Sequence, residues 1–176
     1  MRPSIIGIGG GGSGAGKTTI ACKILESFRG WGAIKYTKTS FYASITDDPD
    51  ILMQEGKDTR RFLDSGAEKV LWVQSPFSEL GETIPLAVGM LSSLEGIVVE
   101  GNSLIEMLEP DIVIFASGAD GEIKSGAKRI LLMSDVIIFE GKLPPETPEG
   151  ARKFHRDDVE NYLRYIRTVL ASCGDS

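Results

Sequence analysis

Nine consecutive residues, Gly11-Gly12-Ser13-Gly14-Ala15-Gly16-Lys17-Thr18-Thr19, restrict what this chain can fold into more than any other feature. They fit G-x-x-x-x-G-K-[ST] at every fixed position. Glycines let the backbone take φ > 0 and turn several N–H groups towards one anion. A helix opening at Gly16 adds unpaired N–H groups and a positive dipole end. The pattern therefore assigns phosphate contact to Gly12, Ser13, Gly14, Ala15, Gly16, Lys17, Thr18 and Thr19. Lys17 would reach the β- and γ-phosphates, and the Thr18 hydroxyl would complete the coordination of Mg²⁺. The flanks agree: Ser4-Ile5-Ile6-Gly7-Ile8 reads as the strand before the loop. Ile20, Ala21, Ile24, Leu25 and Phe28 form an apolar stripe at helical spacing that ends at Gly30.

The overlapping Gly7-Ile8-Gly9-Gly10-Gly11-Gly12 also satisfies G-x-G-x-x-G. A glycine run of this kind matches many patterns, and Lys17 already accounts for the loop, so a dinucleotide fold is set aside.

Along the rest of the chain, strand-sized apolar runs alternate with helical patterns. Strands are predicted at 32–37, 69–73, 96–99, 111–116 and 136–139, the last of the set. Helices are predicted at 58–65, 85–94, 102–108 and 124–133. Val159, Tyr162, Leu163, Ile166, Val169 and Leu170 line one face of a C-terminal helix with Asp157 as its N-cap. Apolar strands separated by helices imply an α/β fold: a mainly parallel twisted sheet with helices on both faces, in a single domain spanning residues 1–176. Ligands of such sheets bind at the carboxyl ends of the strands, where the P-loop lies.

Composition excludes several classes. A formal charge of −6 disfavours nucleic acid, which calls for a basic face. No stretch reaches the ~18 apolar residues of a membrane span, and the N-terminus has no signal-peptide pattern, so a cytoplasmic chain is expected. Cys22 and Cys173 form no C-x-x-C pair and set up neither a zinc site nor a disulfide framework.

A P-loop needs an acidic partner for Mg²⁺. Glu100 follows Ile97-Val98-Val99 at the end of an apolar strand, where a Walker B carboxylate belongs, and Gly101 lets the chain turn there. Glu100 is the candidate metal-linked and catalytic carboxylate beside Lys17. Asp47, Asp48 and Asp50 either reach the metal or an attacking water, or form a solvated acidic turn. Lys35 either faces the phosphates or is an ordinary strand lysine. His155 stands in the charged run 152–158 and reads as a surface residue. No arginine is evident as an internal finger, so intrinsic turnover should be slow. Nothing matches the guanine-reading N-K-x-D, and the loops after Ser117 and Phe139 leave GTP and ATP both open.

The P-loop, Gly32-Ala33-Ile34-Lys35, the run Gly56-Lys57-Asp58-Thr59-Arg60-Arg61 with Gly66-Ala67, and Val98-Val99-Glu100-Gly101 are similar, in order and spacing, to the molybdopterin-guanine dinucleotide biosynthesis protein B (MobB) family. The resemblance covers about residues 4–116, and the G-K-D-[ST]-x-R run is its most distinctive part. It implies a P-loop GTP binder of the SIMIBI class with Mg²⁺, homodimeric, that assists maturation of the molybdenum cofactor and meets molybdopterin or a cofactor-inserting protein. Two departures stand out. Where the family has a histidine-rich stretch this chain reads Tyr36-Thr37-Lys38-Thr39-Ser40, and Glu-Gly is followed by Asn102-Ser103 instead of an aromatic and a lysine. The Glu-Gly strand end is also similar to dethiobiotin synthetases, which use ATP. Gly12 stands where some SIMIBI ATPases carry an extra lysine, so no lysine from a partner subunit is expected. An ATP-dependent small-molecule kinase or ligase and a nucleotide-controlled switch are the competing readings.

Overall fold

A computed structural model describes residues 2–174. Its frame is one eight-stranded sheet: β1 (Ser4–Gly10), β2 (Trp31–Lys38), β3 (Ser44–Thr46), β4 (Val70–Ser75), β5 (Gly96–Glu100), β6 (Ile112–Ser117), β7 (Val136–Phe139) and β8 (Arg152–His155), in the order β3-β4-β2-β5-β1-β6-β7-β8. All neighbours run parallel except β3, which pairs antiparallel with β4. The predicted α/β class with a mainly parallel sheet is the one observed.

Helices cover both faces, as strands buried on two sides require. On one face α1 (Lys17–Ser27), α3 (Asp58–Asp64) and α7 (Val159–Gly174) pack over Ile6, Ile8, Ala33, Val98 and Ile114. On the other, α4 (Phe77–Gly89), α5 (Asn102–Leu108) and α6 (Lys128–Leu132) cover Ile34, Val99, Val113 and Phe115. The short α2 (Pro49–Leu52) lies in the connection between β3 and α3. The apolar residues read onto α7 all face this core, with Tyr162 and Ile166 fully buried. The residue immediately before α7 is Asp158, whose carbonyl accepts from the Tyr162 N–H, while the Asp157 carboxylate turns to His155.

Besides α2, a helix that the polar stretch after β2 did not announce, three elements differ from the sequence expectation. α4 starts at Phe77, eight residues before the predicted start, and Pro85 sits inside it at an exposed position. A proline there removes one intrahelical hydrogen bond, a loss that packing of Leu80, Ile84 and Ala87 against the sheet offsets. β3 occupies part of the polar stretch after β2, and β8 adds an eighth strand from the charged run at 152–155. Both are edge strands, where short and charged sequences are tolerated because only one side needs a partner.

Candidate functional site

The P-loop leaves β1 at Gly10 and enters α1 at Lys17. Gly16 precedes the helix with φ +96, in the left-handed region that side chains disfavour, so the glycine before the lysine is required by backbone geometry. Asn102 clamps the base of the loop: its Oδ1 accepts from the Gly10 N–H at 3.0 Å and its Nδ2 donates to the Gly10 carbonyl at 3.2 Å. Thus the residue that departs from the resembling family braces β1 directly.

The loop borders a cleft of about 400 Å³ that runs from Ser13 to Thr19 and is closed by Lys35, Asp58, Arg61, Glu100 and Arg156. Glu100 ends β5 and is 2% exposed. It stands level with Ile8 of β1 on one side and Lys35 of β2 on the other. Gly101, with φ +145, then turns the chain so tightly against Tyr36 that an added Cβ would lie 3.2 Å from the tyrosine Cβ. The Thr18 hydroxyl donates to Glu100 Oε2 at 3.1 Å, and the Lys35 ammonium lies 2.6 Å from Glu100 Oε1 and 2.8 Å from Asp58 Oδ2. Lys17 Nζ reaches back to the Gly12 carbonyl at 3.3 Å.

Electrostatics distinguish the two lysines. Burial pushes Lys17 below the ordinary lysine value, an effect that Glu100 opposes and Lys35 and Lys124 reinforce. Burial also works against charge on Lys35, but Glu100 and Asp58 together outweigh it and hold its pKa above the ordinary value. The result is a stable cation pinned between two carboxylates next to a more easily deprotonated one.

The structure thus brings Lys17, Thr18, Lys35 and Glu100 together. Gly12, Ser13, Gly14, Ala15, Gly16 and Thr19 line the same loop. The acidic residues of the polar stretch are elsewhere. Asp47 pairs with Lys69 at 3.2 Å, and Asp48 caps α2 by accepting from the Asp50 N–H at 2.9 Å. These are surface and capping roles, and they resolve the acidic cluster as a solvated turn. Three cleft residues escaped sequence reasoning. Asp58 opens α3, and Arg61 one turn on donates to Thr19 Oγ1 at 3.1 Å. Arg156 follows β8 and pairs with Glu140 at 2.7 Å. Two arginines, Arg61 and Arg156, thus stand at the cleft, where the sequence alone gives no sign of one. The signal for Arg156 was topological: a strand added parallel to β7 delivers its carboxyl end to the same rim.

The donor set suits a hard cation. Thr18 Oγ1 and Glu100 Oε2 lie 3.1 Å apart, two oxygens of the kind Mg²⁺ takes alongside phosphate and water. Among the described residues no group of three or more His, Cys, Asp or Glu is assembled for a metal held by protein alone. Nor is any of the described helices long and apolar enough to cross a membrane.

No protein-family model matches the chain, and no curated protein sequence does. Solved structures do. HypB from Helicobacter pylori, crystallised in complex with nickel, superimposes with a TM-score of 0.59 at 12% identity over 95% of this chain and 86% of that one. A MobB protein homolog from Bacillus stearothermophilus gives 0.50 at 16% identity over 96% and 98%. The fold is that of the P-loop nucleoside triphosphatases. Within that class the chain is MobB-like in architecture and spans nearly the whole of the MobB homolog.

Proposed function

We propose that this chain binds a nucleoside triphosphate with Mg²⁺, GTP in preference to ATP, and hydrolyses it slowly as an accessory factor in molybdenum cofactor maturation. The observation that carries this reading is the meeting of Lys17 and Thr18, at the start of α1, with Glu100, at the end of β5. Lys17 would meet the β- and γ-phosphates, and the P-loop amides would cradle them. Thr18 and Glu100 would hold Mg²⁺, which would supply positive charge to the phosphates. Glu100 would also orient the attacking water, and the Lys35 ammonium, 2.6 Å away, holds that carboxylate in place. Arg61 and Arg156 add positive charge at the cleft rim, but each is already engaged, with Thr19 and Glu140, so turnover without a partner stays slow. The molybdenum cofactor assignment draws on the G-K-D-T-R-R run at 56–61 and on the likeness to the MobB homolog. With it come a cytoplasmic, homodimeric protein and molybdopterin or a cofactor-inserting protein as partner.

The test is calorimetric titration with GTP and with ATP, each with Mg²⁺. Tighter binding of GTP supports the reading. Tighter binding of ATP replaces it with the second one, an ATP-dependent kinase or ligase of the dethiobiotin synthetase type, which is favoured by the separate cavity adjoining Lys35.

A further inference from the structure

That cavity, of about 230 Å³, lies beside the phosphate cleft, and the two share Lys35 and Asp58 in their walls. Its position follows from strand register. Trp72 of β4 is paired with Lys35 of β2, and Lys35 with Glu100 of β5. Residues level with each other in parallel strands project to the same face. An indole, an ammonium and a carboxylate therefore stand in one row, with Thr18 of the P-loop at the carboxylate end.

The outer end of the row has the character of a ligand wall. Trp72 is only half-buried, whereas Trp31 fills the core against Phe28. The Trp72 Nε1–H donates to Thr37 Oγ1 at 3.1 Å, which fixes the plane of the ring beside the opening. Lys57, in the loop that covers the cavity, sits with Nζ 4.4 Å from the ring centroid. Charge is unevenly matched here. Lys35 is engaged by two carboxylates, but Lys57 has no carboxylate partner among the described residues. A cation–π contact at an exposed site is weak, so an anion entering the cavity can draw Lys57 to itself and free the ring face.

We infer that this cavity binds a second ligand, a small flat organic anion, with its carboxylate or phosphate on Lys57 and its unsaturated body against Trp72. Bound there, it lies next to Lys35, within reach of the end of the phosphate cleft. A role as the molecule acted on or handed over together with nucleotide rests on the function proposed above; occupancy of the cavity does not.

The experiment titrates two flat anions, pterin-6-carboxylate and quinaldate, into the full chain by calorimetry, alone and saturated with GTP and Mg²⁺. Uncharged pterin and cyclohexanecarboxylate serve as controls for charge and flatness. The expected result is binding of at least one flat anion, weakened by about tenfold or more in Trp72→Ala and in Lys57→Ala, and retained in Trp72→Phe. Melting curves of each variant establish that it is folded, and Trp72→Phe keeps the test open if Trp72→Ala is not. Failure of both anions to bind, equal binding by the controls, or undiminished binding by Lys57→Ala overturns the inference. GTP titrations of the same preparations separate the two readings. GTP binding without anion binding removes the cavity alone, and anion binding without GTP binding removes the nucleotide reading alone.

Discussion

The Lys35 ammonium lies 2.6 Å from Glu100 Oε1, and the carboxylate it meets is 2% exposed. A charge so deeply placed is tolerable only when partnered, and Lys35 with the Thr18 hydroxyl supplies the partnership. The pair links β2 to β5 at the point where both strands reach the P-loop. Structural support and site geometry are therefore the same interaction.

Lys35→Met should cost about 3 kcal/mol of folding stability, because it leaves the Glu100 charge buried with only a hydroxyl to meet it. The double substitution Lys35→Met with Glu100→Gln should recover part of that loss, since both charges are then gone. Urea unfolding of the four variants of the cycle measures the coupling. Additive losses would mean that the pair is not coupled across the sheet.

Glu100→Gln should keep triphosphate binding and lower hydrolysis by about a hundredfold or more, the range for removing a positioned base. The amide retains the size of the carboxylate, and Lys17 and the loop amides are untouched. Single-turnover hydrolysis with bound nucleotide is the measurement. Unchanged rates would take Glu100 out of the chemistry and leave it a purely structural partner of Lys35.

Much of this site was legible because its parts are close in sequence or end an apolar run. The P-loop is contiguous, and Glu100 is the polar residue that terminates Ile97-Val98-Val99. Lys35 was ambiguous for a physical reason: a strand lysine has no defined partner until the register sets it level with Glu100. Asp58 and Arg156 were hidden by distance. Asp58 reaches Lys35 only when α3 packs against α1, and Arg156 reaches the rim only because β8 joins the edge of the sheet. Edge strands such as Ser44–Thr46 and Arg152–His155 carry little apolar periodicity, so their sequences announce no strand. In α4 the proline misled: Pro85 reads as a helix start, yet the helix tolerates it at an exposed interior position.

Lys17→Ala should weaken triphosphate binding by about a hundredfold or more, because the loop loses the cation placed at its mouth. The wild-type affinity should also depend on pH in a definite direction. Burial holds the Lys17 pKa below the ordinary lysine value, and only the charged form attracts phosphate. Affinity should therefore decline as pH rises, starting lower than an ordinary lysine would allow, and the decline should be absent in Lys17→Ala. Titrations in a pH series check both; a decline of the same size in the variant would assign it to another group.

Tyr162 gives a stability test at the other side of α1. Burial pushes its hydroxyl up to about 12 from an ordinary 10.0, with Glu26 adding to the shift and Arg156 opposing it. The folded chain thus keeps a proton that the unfolded chain releases over that interval. The sign follows from linkage: the contribution is complete below the unfolded value of 10.0 and is lost as pH rises through about 12. Tyr162→Phe has no proton to release, so its stability should fall less steeply than the wild type's between about pH 10 and about pH 11. Other groups titrate in both proteins and cancel in the difference. Chemical unfolding across that range measures it, and parallel curves would mean that the hydroxyl is as accessible to water in the folded chain as in the unfolded one.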